Sequence, residues 1–226
     1  MEIKYLTRQL DIIPVDKLEM PVTIIGCGAI GSFTGLALAK MGVTKIRVYD
    51  MDTVSEENMN NQFFRISDIG TNKAVALASL IKDFTGVVVD AHPYRFEQVA
   101  GLTGIVITAV DTMSARKDIY TTIREMSPGV QYIIDPRMSA EFYAQYTCTP
   151  KTSWYKNTLY SDSEAVAQRC TAKSTIYTAT LAAGLISKTV KNIITGEPHP
   201  YNIQWDIKLS ENSMEMFTKG GKDEAR

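Results

Sequence analysis

A glycine-rich turn between an apolar strand and a helix is the strongest structural constraint in this sequence. Residues 22–25 are apolar and rich in β-branched side chains, which favours a buried parallel strand. A G-x-G-x-x-G pattern follows at once, and small and apolar residues then recur at helical spacing over 29–41 until Gly42 ends the helix. Residues 45–50 read as a second strand. The glycines therefore lie in a β-α-β unit of about 30 residues, the context in which this motif binds a nucleotide.

Strand and helix patterns continue to alternate along the rest of the chain. This order predicts an α/β fold, with a Rossmann-like doubly wound, mostly parallel sheet and an antiparallel C-terminal extension. The predicted strands are 22–25, 45–50, 86–92, 104–110, 131–135 and 141–149, and the predicted helices are 29–41, 73–83, 114–125 and 171–194.

A chain of 226 residues is long enough for one domain of generous size. Residues 1–20 read as an N-terminal arm and residues 21–218 as the main domain. Residues 151–169 are polar without a clear period and are expected to form a mobile loop. The glycine- and charge-rich residues 219–226 are expected to be a disordered tail.

Composition excludes several classes of protein. Hydrophobic residues make up 45% and charged residues 22% of the chain, with a net charge of −1, so nucleic acid and anionic membranes are not expected partners. The N-terminus lacks the apolar core of a signal peptide, and the apolar runs are too short to span a bilayer. Three cysteines without a C-x-x-C pair argue against a zinc site or a disulfide scaffold. We expect a cytoplasmic protein with free thiols.

Each glycine of the turn has a distinct physical task. The first permits the tight turn, the second lets backbone approach a phosphate, and the third lets helix and strand pack closely. Free N–H groups at the helix N-terminus then face the anion. Asp50, 19 residues after the last glycine, can accept hydrogen bonds from ribose hydroxyls. The alternative is a turn that binds nothing. The predicted cofactor-binding residues of this unit are Gly26, Gly28, Ala29, Ile30, Gly31 and Asp50.

The polar segment after the second strand distinguishes between a nicotinamide cofactor and ATP. A nicotinamide enzyme has no obvious use for its dense amides and acids, which end in a lysine at position 73. An adenylating enzyme needs cations on a triphosphate and an acid for Mg²⁺. Lys73 is the predicted phosphate cation, and Asp111, at the end of a strand, is the predicted metal ligand. Asn58 and Gln62 supply neutral donors to phosphate or ribose.

This pattern resembles the ThiF/MoeB/HesA family, the prokaryotic relatives of ubiquitin-activating enzymes. The resemblance rests on G-x-G-x-x-G, D-x-D-x-V-x-x-x-N, a glutamine, D-I-G-x-x-K and a strand that ends in aspartate, and it runs from about Tyr5 to Gly196. It implies adenylation of the C-terminal glycine of a ubiquitin-like or sulfur-carrier protein, with ATP and Mg²⁺.

The resemblance also implies roles for individual residues. Asp50 binds the ribose with Asp52 nearby, Lys73 binds the phosphates, and Asp111 coordinates Mg²⁺. The segment Tyr5-Leu6-Thr7-Arg8-Gln9 is similar to an N-terminal element whose arginine reaches the ATP of the neighbouring subunit. By this resemblance Arg8 is a phosphate ligand in trans and the protein is a homodimer. The alternative is a solvated arginine on an arm.

The sequence departs from the family pattern at two places. Asn61 stands where the family commonly has an arginine before Gln62, so one phosphate cation is lost, and Arg65 is the nearest replacement. The paired C-x-x-C zinc ligands of many members are also absent. These losses leave open a non-catalytic relative. Asn61 and Gln62 are nevertheless retained as predicted cofactor-binding residues.

Cys170 is the candidate nucleophile. It precedes the long predicted helix and lies beside Arg169 and Lys173, which would lower its pKa and favour the thiolate. In the family that it resembles, a cysteine at this place can accept the activated carboxyl group. The alternative is a half-buried cysteine that packs at an interface.

Four polar residues near the later strands have predicted roles outside the nucleotide site. Ser114 and Arg116 are expected to cap and solvate the helix after Asp111. Arg137 and Glu141 either line a substrate groove or pair with each other on a loop.

The sequence as a whole predicts a homodimeric ATP-dependent adenylyltransferase. Lys73, Arg8 and Asp111 would support attack by a carboxylate on the α-phosphorus, and transfer to Cys170 is an optional second step. A small peptide, or a carboxylate attached to tRNA, is an alternative substrate. Two other classes remain open: an NAD-dependent oxidoreductase and a non-catalytic binding or scaffold protein.

Overall fold

One eight-stranded sheet carries the glycine turn. The computed structural model describes residues 5–97, 99–161 and 174–216. The strand order is β3-β2-β1-β4-β5-β6-β7-β8. The strands are β1 (Val22–Ile25), β2 (Ile46–Tyr49), β3 (Asp90–His92), β4 (Thr103–Thr108), β5 (Gly129–Ser139), β6 (Phe142–Cys148), β7 (Pro200–Asp206) and β8 (Glu211–Met216).

The first five strands are parallel, with β1 between β2 and β4. The chain moves outward from β1 to β3 and returns to the other side of β1 at β4. This reversal is a topological switch point, and open α/β sheets bind ligands in the crevice at the carboxyl ends of the strands there. The predicted doubly wound sheet is confirmed, and its switch point lies beside the glycine turn.

The last three strands are antiparallel and extend the sheet beyond β5. This confirms the predicted C-terminal extension, although the sequence pattern supplied no bounds for β7 and β8. All six residues of β8 are exposed, so this edge strand has no apolar alternation to reveal it.

Within the described residues, four helices cover the two faces of the sheet. They are α1 (Ala29–Met41), α2 (Lys73–Thr85), α3 (Met113–Met126) and α4 (Ile176–Thr195). Buried residues of α1, α2 and α4 form one apolar cluster with one side of the sheet, and those of α3 form a second cluster on the other side. The first helix has the predicted bounds, and it ends at Gly42 in the left-handed conformation with φ 105°.

The predicted mobile loop 151–169 contains local structure in its first part. Trp154–Thr158 forms a 3-10 helix in which Tyr155 is fully buried. Residues 162–169 of that loop and the predicted tail 219–226 lie outside the described ranges. Within the described ranges, no helix is long and apolar enough to cross a membrane.

Candidate nucleotide site

Two glycines of the turn are required by internal packing. Gly26 has φ 94°, and a Cβ atom there would lie 2.4 Å from the Ala109 carbonyl oxygen. A Cβ atom on Gly31 would lie 1.9 Å from the Gly26 carbonyl oxygen. Any larger residue at either position would have to displace backbone. These glycines therefore bring the end of β1, the start of α1 and the segment after β4 into close contact.

Gly28 is different, because no packing contact among the described residues requires a glycine there. Its φ of −75° suits any residue, and a Cβ atom would meet no heavy atom of the described residues within 4 Å. Gly28 is the N-cap residue of α1, and no side chain accepts a capping hydrogen bond there. The backbone at the positive end of the helix dipole thus borders open space, an arrangement suited to an anion.

The carboxylate of Asp50 lies against this turn. One oxygen accepts the Cys27 N–H at 2.6 Å, and the other accepts the Asp52 N–H at 2.8 Å. Burial raises the pKa of Asp50, and the two backbone donors and Lys73 oppose that rise. Each carboxylate oxygen keeps acceptor capacity for a further donor, because an ionised carboxylate offers about four lone-pair sites.

Lys73 is a nearly buried cation beside Asp50. It is 8% exposed, begins α2, and places Nζ 3.2 Å from the Asp52 carboxylate. Asn72 caps α2, and its side-chain amide donates to the carbonyl oxygens of Asp50 and Asp52 at 2.9 and 3.1 Å. The structure thus brings together the glycine turn, the carboxylates of Asp50 and Asp52, and Lys73, the predicted phosphate cation.

Asp111 is exposed and follows β4 at the carboxyl edge of the sheet. Because β4 is the direct neighbour of β1, this position shares an edge with the glycine turn. The described residues contain no group of three or more His, Cys, Asp or Glu side chains that could hold a metal. One carboxylate still suits Mg²⁺, which is commonly held by one or two carboxylates together with substrate phosphates.

A nearly complete family-model match identifies the chain's relatives. The sequence model of the ThiF family matches residues 8–225. The chain belongs to the ThiF family. The resemblance inferred from the motif is therefore confirmed.

Curated relatives of this ThiF-family chain include ubiquitin-like activating enzymes. The chain is 30% identical over 125 residues to Ubiquitin-like modifier-activating enzyme 5 of Bombyx mori, a match that covers 48% of this chain and 32% of that enzyme. It is 35% identical over 102 residues to the NEDD8-activating enzyme E1 catalytic subunit of Caenorhabditis elegans, covering 42% and 24% respectively. The matched region thus spans about a third or less of these relatives' length.

Solved structures of similar fold match nearly the whole ThiF-family chain. PaaA matches with a TM-score of 0.77 at 18% identity, covering 94% of this chain and 72% of that one. E. coli MccB with ATP matches with a TM-score of 0.76 at 16% identity, covering 95% and 71%. At these identities the likeness establishes the fold.

A buried charge network supports the segment that leads to Asp111. Arg116, which the sequence pattern placed in solvent, is 4% exposed, so that prediction is wrong. Its guanidinium donates to the carbonyl oxygens of Thr108, at 2.8 Å, and Val110, and to the fully buried carboxylate of Asp135. The cap of α3 is the Thr112 side chain, which accepts the Ala115 N–H. Arg116 therefore fixes the backbone on both sides of Ala109, the residue that touches Gly26.

Arg137 is the second cation of this network. Its Nε and Nη2 donate to Asp135 at 2.9 and 2.7 Å, and its Nη1 donates to the Thr158 carbonyl oxygen at 2.7 Å. Burial lowers the pKa of Arg137, but the Asp135 carboxylate outweighs burial and the pKa rises. Arg137 does not pair with Glu141, which instead accepts the Tyr177 hydroxyl at 2.6 Å.

The loop after β2 places its amides in separate roles. The Asn58 side chain accepts the Ser55 N–H at 3.0 Å and so belongs to a capping box. Gln62 is half-buried, and its Oε1 atom has no hydrogen-bond partner among the described residues. Asn61 donates to Ser174, which lies just before the N-cap of α4.

Arg65 makes its polar contacts with its own loop and with α2. It forms ion pairs with Asp68 at 3.2 Å and Asp83 at 2.7 Å, and it donates to Ser79 at 3.1 Å. These contacts hold its charge on the outer side of α2. The structure therefore does not support Arg65 as a replacement for the family arginine.

Arg8 and Cys170 are the remaining predicted site residues. Arg8 is exposed on the 3-10 helix Thr7–Gln9. Cys170, the predicted nucleophile, lies outside the described residues. Cys27 and Cys148 are buried and form no disulfide among the described residues, and burial raises the pKa of Cys27 well above its ordinary value. Neither buried thiol has the exposed, electropositive surroundings of a reactive cysteine.

Proposed function

We propose that this chain is an ATP-dependent adenylyltransferase that activates a carboxylate. The observation that carries the proposal is the convergence of the open turn at Gly28, the carboxylate of Asp50 and the buried cation of Lys73 in a chain of the ThiF family. A turn that only shaped the fold would have no need of a glycine at position 28.

In this proposal the triphosphate lies at the N-terminus of α1, with its ribose on Asp50. Lys73 neutralises phosphate charge, and its contact with Asp52 keeps the ammonium group in place before ATP arrives. Asp111 would hold Mg²⁺, which supplies further neutralisation of the phosphates when it is bound. Arg8 of one protomer would reach the partner's ATP in a homodimer.

The proposed reaction forms an acyl-adenylate. A carboxylate oxygen attacks the α-phosphorus, the bond from that phosphorus to the pyrophosphate oxygen breaks, and pyrophosphate leaves. The chain's own residues act by positioning and by charge neutralisation, and neither requires a protein group to change its covalent state. In a proposed second step the Cys170 thiolate attacks the acyl carbon, the bond from that carbon to the AMP oxygen breaks, and AMP leaves as the thioester forms.

The proposed substrate is a ubiquitin-like or sulfur-carrier protein, or a peptide, that ends in glycine. The names of the relatives support this class, because they activate ubiquitin-like modifiers and NEDD8. The structure of MccB with AMPCPP and MccA supports a smaller polypeptide as the alternative. We place the reaction in the cytoplasm on the composition of the chain.

Replacing Gly28 by alanine separates ligand binding from folding. We expect the G28A variant to lose at most about 1 kcal/mol of unfolding free energy, since alanine is only a poorer N-cap. Its affinity for ATP should fall by about tenfold or more, because a methyl group would occupy the phosphate space. Calorimetric titration with Mg·ATP and urea denaturation measure the two effects.

Two other glycine variants provide the comparison. Gly31→Ala should fail to fold or be strongly destabilised, because its Cβ atom would overlap the Gly26 carbonyl oxygen. Gly184→Ala, in α4, would place its Cβ atom more than 4 Å from any heavy atom of the described residues that a glycine-to-alanine replacement could disturb, and ATP affinity should stay unchanged. Full ATP affinity in a folded G28A variant would show that Gly28 is not part of the phosphate site.

ATP–pyrophosphate exchange tests the proposed function. We expect exchange that depends on a glycine-terminated carrier protein or peptide, measured over a panel of such carriers in the presence of Mg²⁺. ATP binding without exchange over the whole panel would favour a non-catalytic relative. Binding of NAD in place of ATP would contradict the proposal.

A further inference from the structure

A hydrogen bond joins the loop after β2 to Ser174, the residue just before the N-cap of α4. The Asn61 side-chain amide donates to the Ser174 hydroxyl and, at 3.4 Å, to the Ser174 carbonyl oxygen. Ser174 also forms an isolated parallel bridge with Ala140 in the turn between β5 and β6. Thr178, in the first turn of α4, donates its hydroxyl to the Ala140 carbonyl oxygen at 3.1 Å. Three distant segments of the chain therefore meet around Ser174.

The same loop is fastened to the helix behind the glycine turn. The Phe63 N–H donates to the Ser32 hydroxyl at 2.9 Å, and the Ser32 N–H donates to the Gly28 carbonyl oxygen at 2.9 Å. Ser32 is fully buried in the first turns of α1. A continuous series of contacts thus runs from Gly28 through Ser32 and Phe63 to Asn61 and Ser174.

The chemistry of Asn61 in this arrangement differs from that of the family arginine. Its amide nitrogen is engaged by Ser174, and its Oδ1 atom is buried without a hydrogen-bond partner among the described residues. The atom that remains is an acceptor, and a phosphate oxygen is also an acceptor, so the two cannot pair. Asn61 in this orientation does not replace the arginine as a phosphate ligand.

We propose that Asn61 is a positioning residue that holds the first turn of α4 in a fixed place relative to the nucleotide site. The inference rests on the proposed binding of ATP at the glycine turn. Loss of the arginine is then an exchange of roles at one position: a direct phosphate contact is replaced by a contact within the protein. When ATP orders the glycine turn, the contacts of Phe63 and Asn61 transmit that ordering to α4.

Amide hydrogen exchange over residues 174–180 tests the contact without nucleotide. We expect exchange there to be about five- to tenfold faster in Asn61→Ala and in Ser174→Ala than in the wild type, as for loss of one net hydrogen bond. The double variant should be no faster than either single variant, because both remove the same contact. Asn60→Ala, at an exposed neighbour, is the matched control and should match the wild type.

Addition of Mg·ATP tests the positioning role. Exchange over 174–180 should slow in the wild type and stay unchanged in the two single variants, while their affinity for ATP stays within about threefold of the wild type, because the contact touches no phosphate. Ser174→Thr keeps the hydroxyl and should restore the slowing.

Three outcomes would overturn the proposal. One is equal exchange in Asn61→Ala and Asn60→Ala, and another is slowing by ATP that survives in both single variants. The third is a loss of ATP affinity in Asn61→Ala but not in Ser174→Ala, which would make Asn61 a nucleotide ligand. Failure of the wild type to bind ATP would instead contradict the proposed function, and the comparison without nucleotide would still decide the contact.

Discussion

Replacement of Lys73 by alanine should lower carrier-dependent ATP–pyrophosphate exchange by about 100- to 1000-fold, the usual effect of removing one preorganised charge from a transition state. The effect should be large because the ammonium group is nearly buried, where its interaction with phosphate is weakly screened. Initial rates at saturating ATP and carrier measure it.

Lys82 supplies the matched control for this variant. It lies in the last turn of the same helix and is exposed. Lys82→Ala removes the same charge from α2, and exchange should stay within about twofold of the wild type, since exposed charges far from the reacting atoms are well screened. If Lys73→Ala retained more than one tenth of wild-type exchange, the proposed phosphate contact would be wrong.

Replacement of Asp135 by asparagine should lower the free energy of unfolding by about 3–5 kcal/mol, the cost of breaking a buried ion pair by removing one partner. Asp135 is fully buried, and it is the common partner of Arg116 and Arg137. It also accepts the hydroxyl groups of Thr108, at 3.1 Å, and Tyr155, at 2.9 Å. Asparagine keeps the shape and removes the charge, so two guanidinium groups would be left without their buried counter-ion. Urea denaturation measures the loss.

An exposed aspartate on α3 provides the comparison. The side chain of Asp118 is 72% exposed and lies 4.0 Å from Arg95. Asp118→Asn should change the free energy of unfolding by no more than about 0.5 kcal/mol. A stability of Asp135→Asn similar to that of Asp118→Asn would contradict the assigned role of the buried network.

The parts of the fold that could be predicted are those that local chemistry dictates. The bounds of α1 follow from Gly28, where the helix begins, and from Gly42, where a left-handed residue ends it. Asp50 and Lys73 could be predicted as site residues because Asp50 directly follows β2 and Lys73 begins α2. Parallel strands bring such positions to one edge of the sheet.

The parts that could not be predicted depend on partners far away in sequence. Arg116 lies among polar residues at the start of α3, and its burial is determined by Asp135, which is 19 residues later. Asn61 and Ser174 are 113 residues apart, and neither carries a local signal for the other. The bounds of β8 were missed because an exposed edge strand lacks the alternation from which strands are recognised. Those of β7, which lies between β6 and β8, were missed because its burial does not alternate along the strand either.

The transfer of oxygen from a carboxylate to AMP tests the central claim most directly. A carrier with an 18O-labelled C-terminal carboxylate would be turned over with Mg·ATP and an acyl acceptor, and the AMP would be analysed by mass spectrometry. Attack on the α-phosphorus predicts one labelled oxygen in each AMP, because the bridging oxygen stays with phosphorus when the acyl group leaves. The same carrier with a C-terminal amide should yield no AMP. Label in inorganic phosphate, or AMP formed without label, would contradict adenylation of the carboxylate.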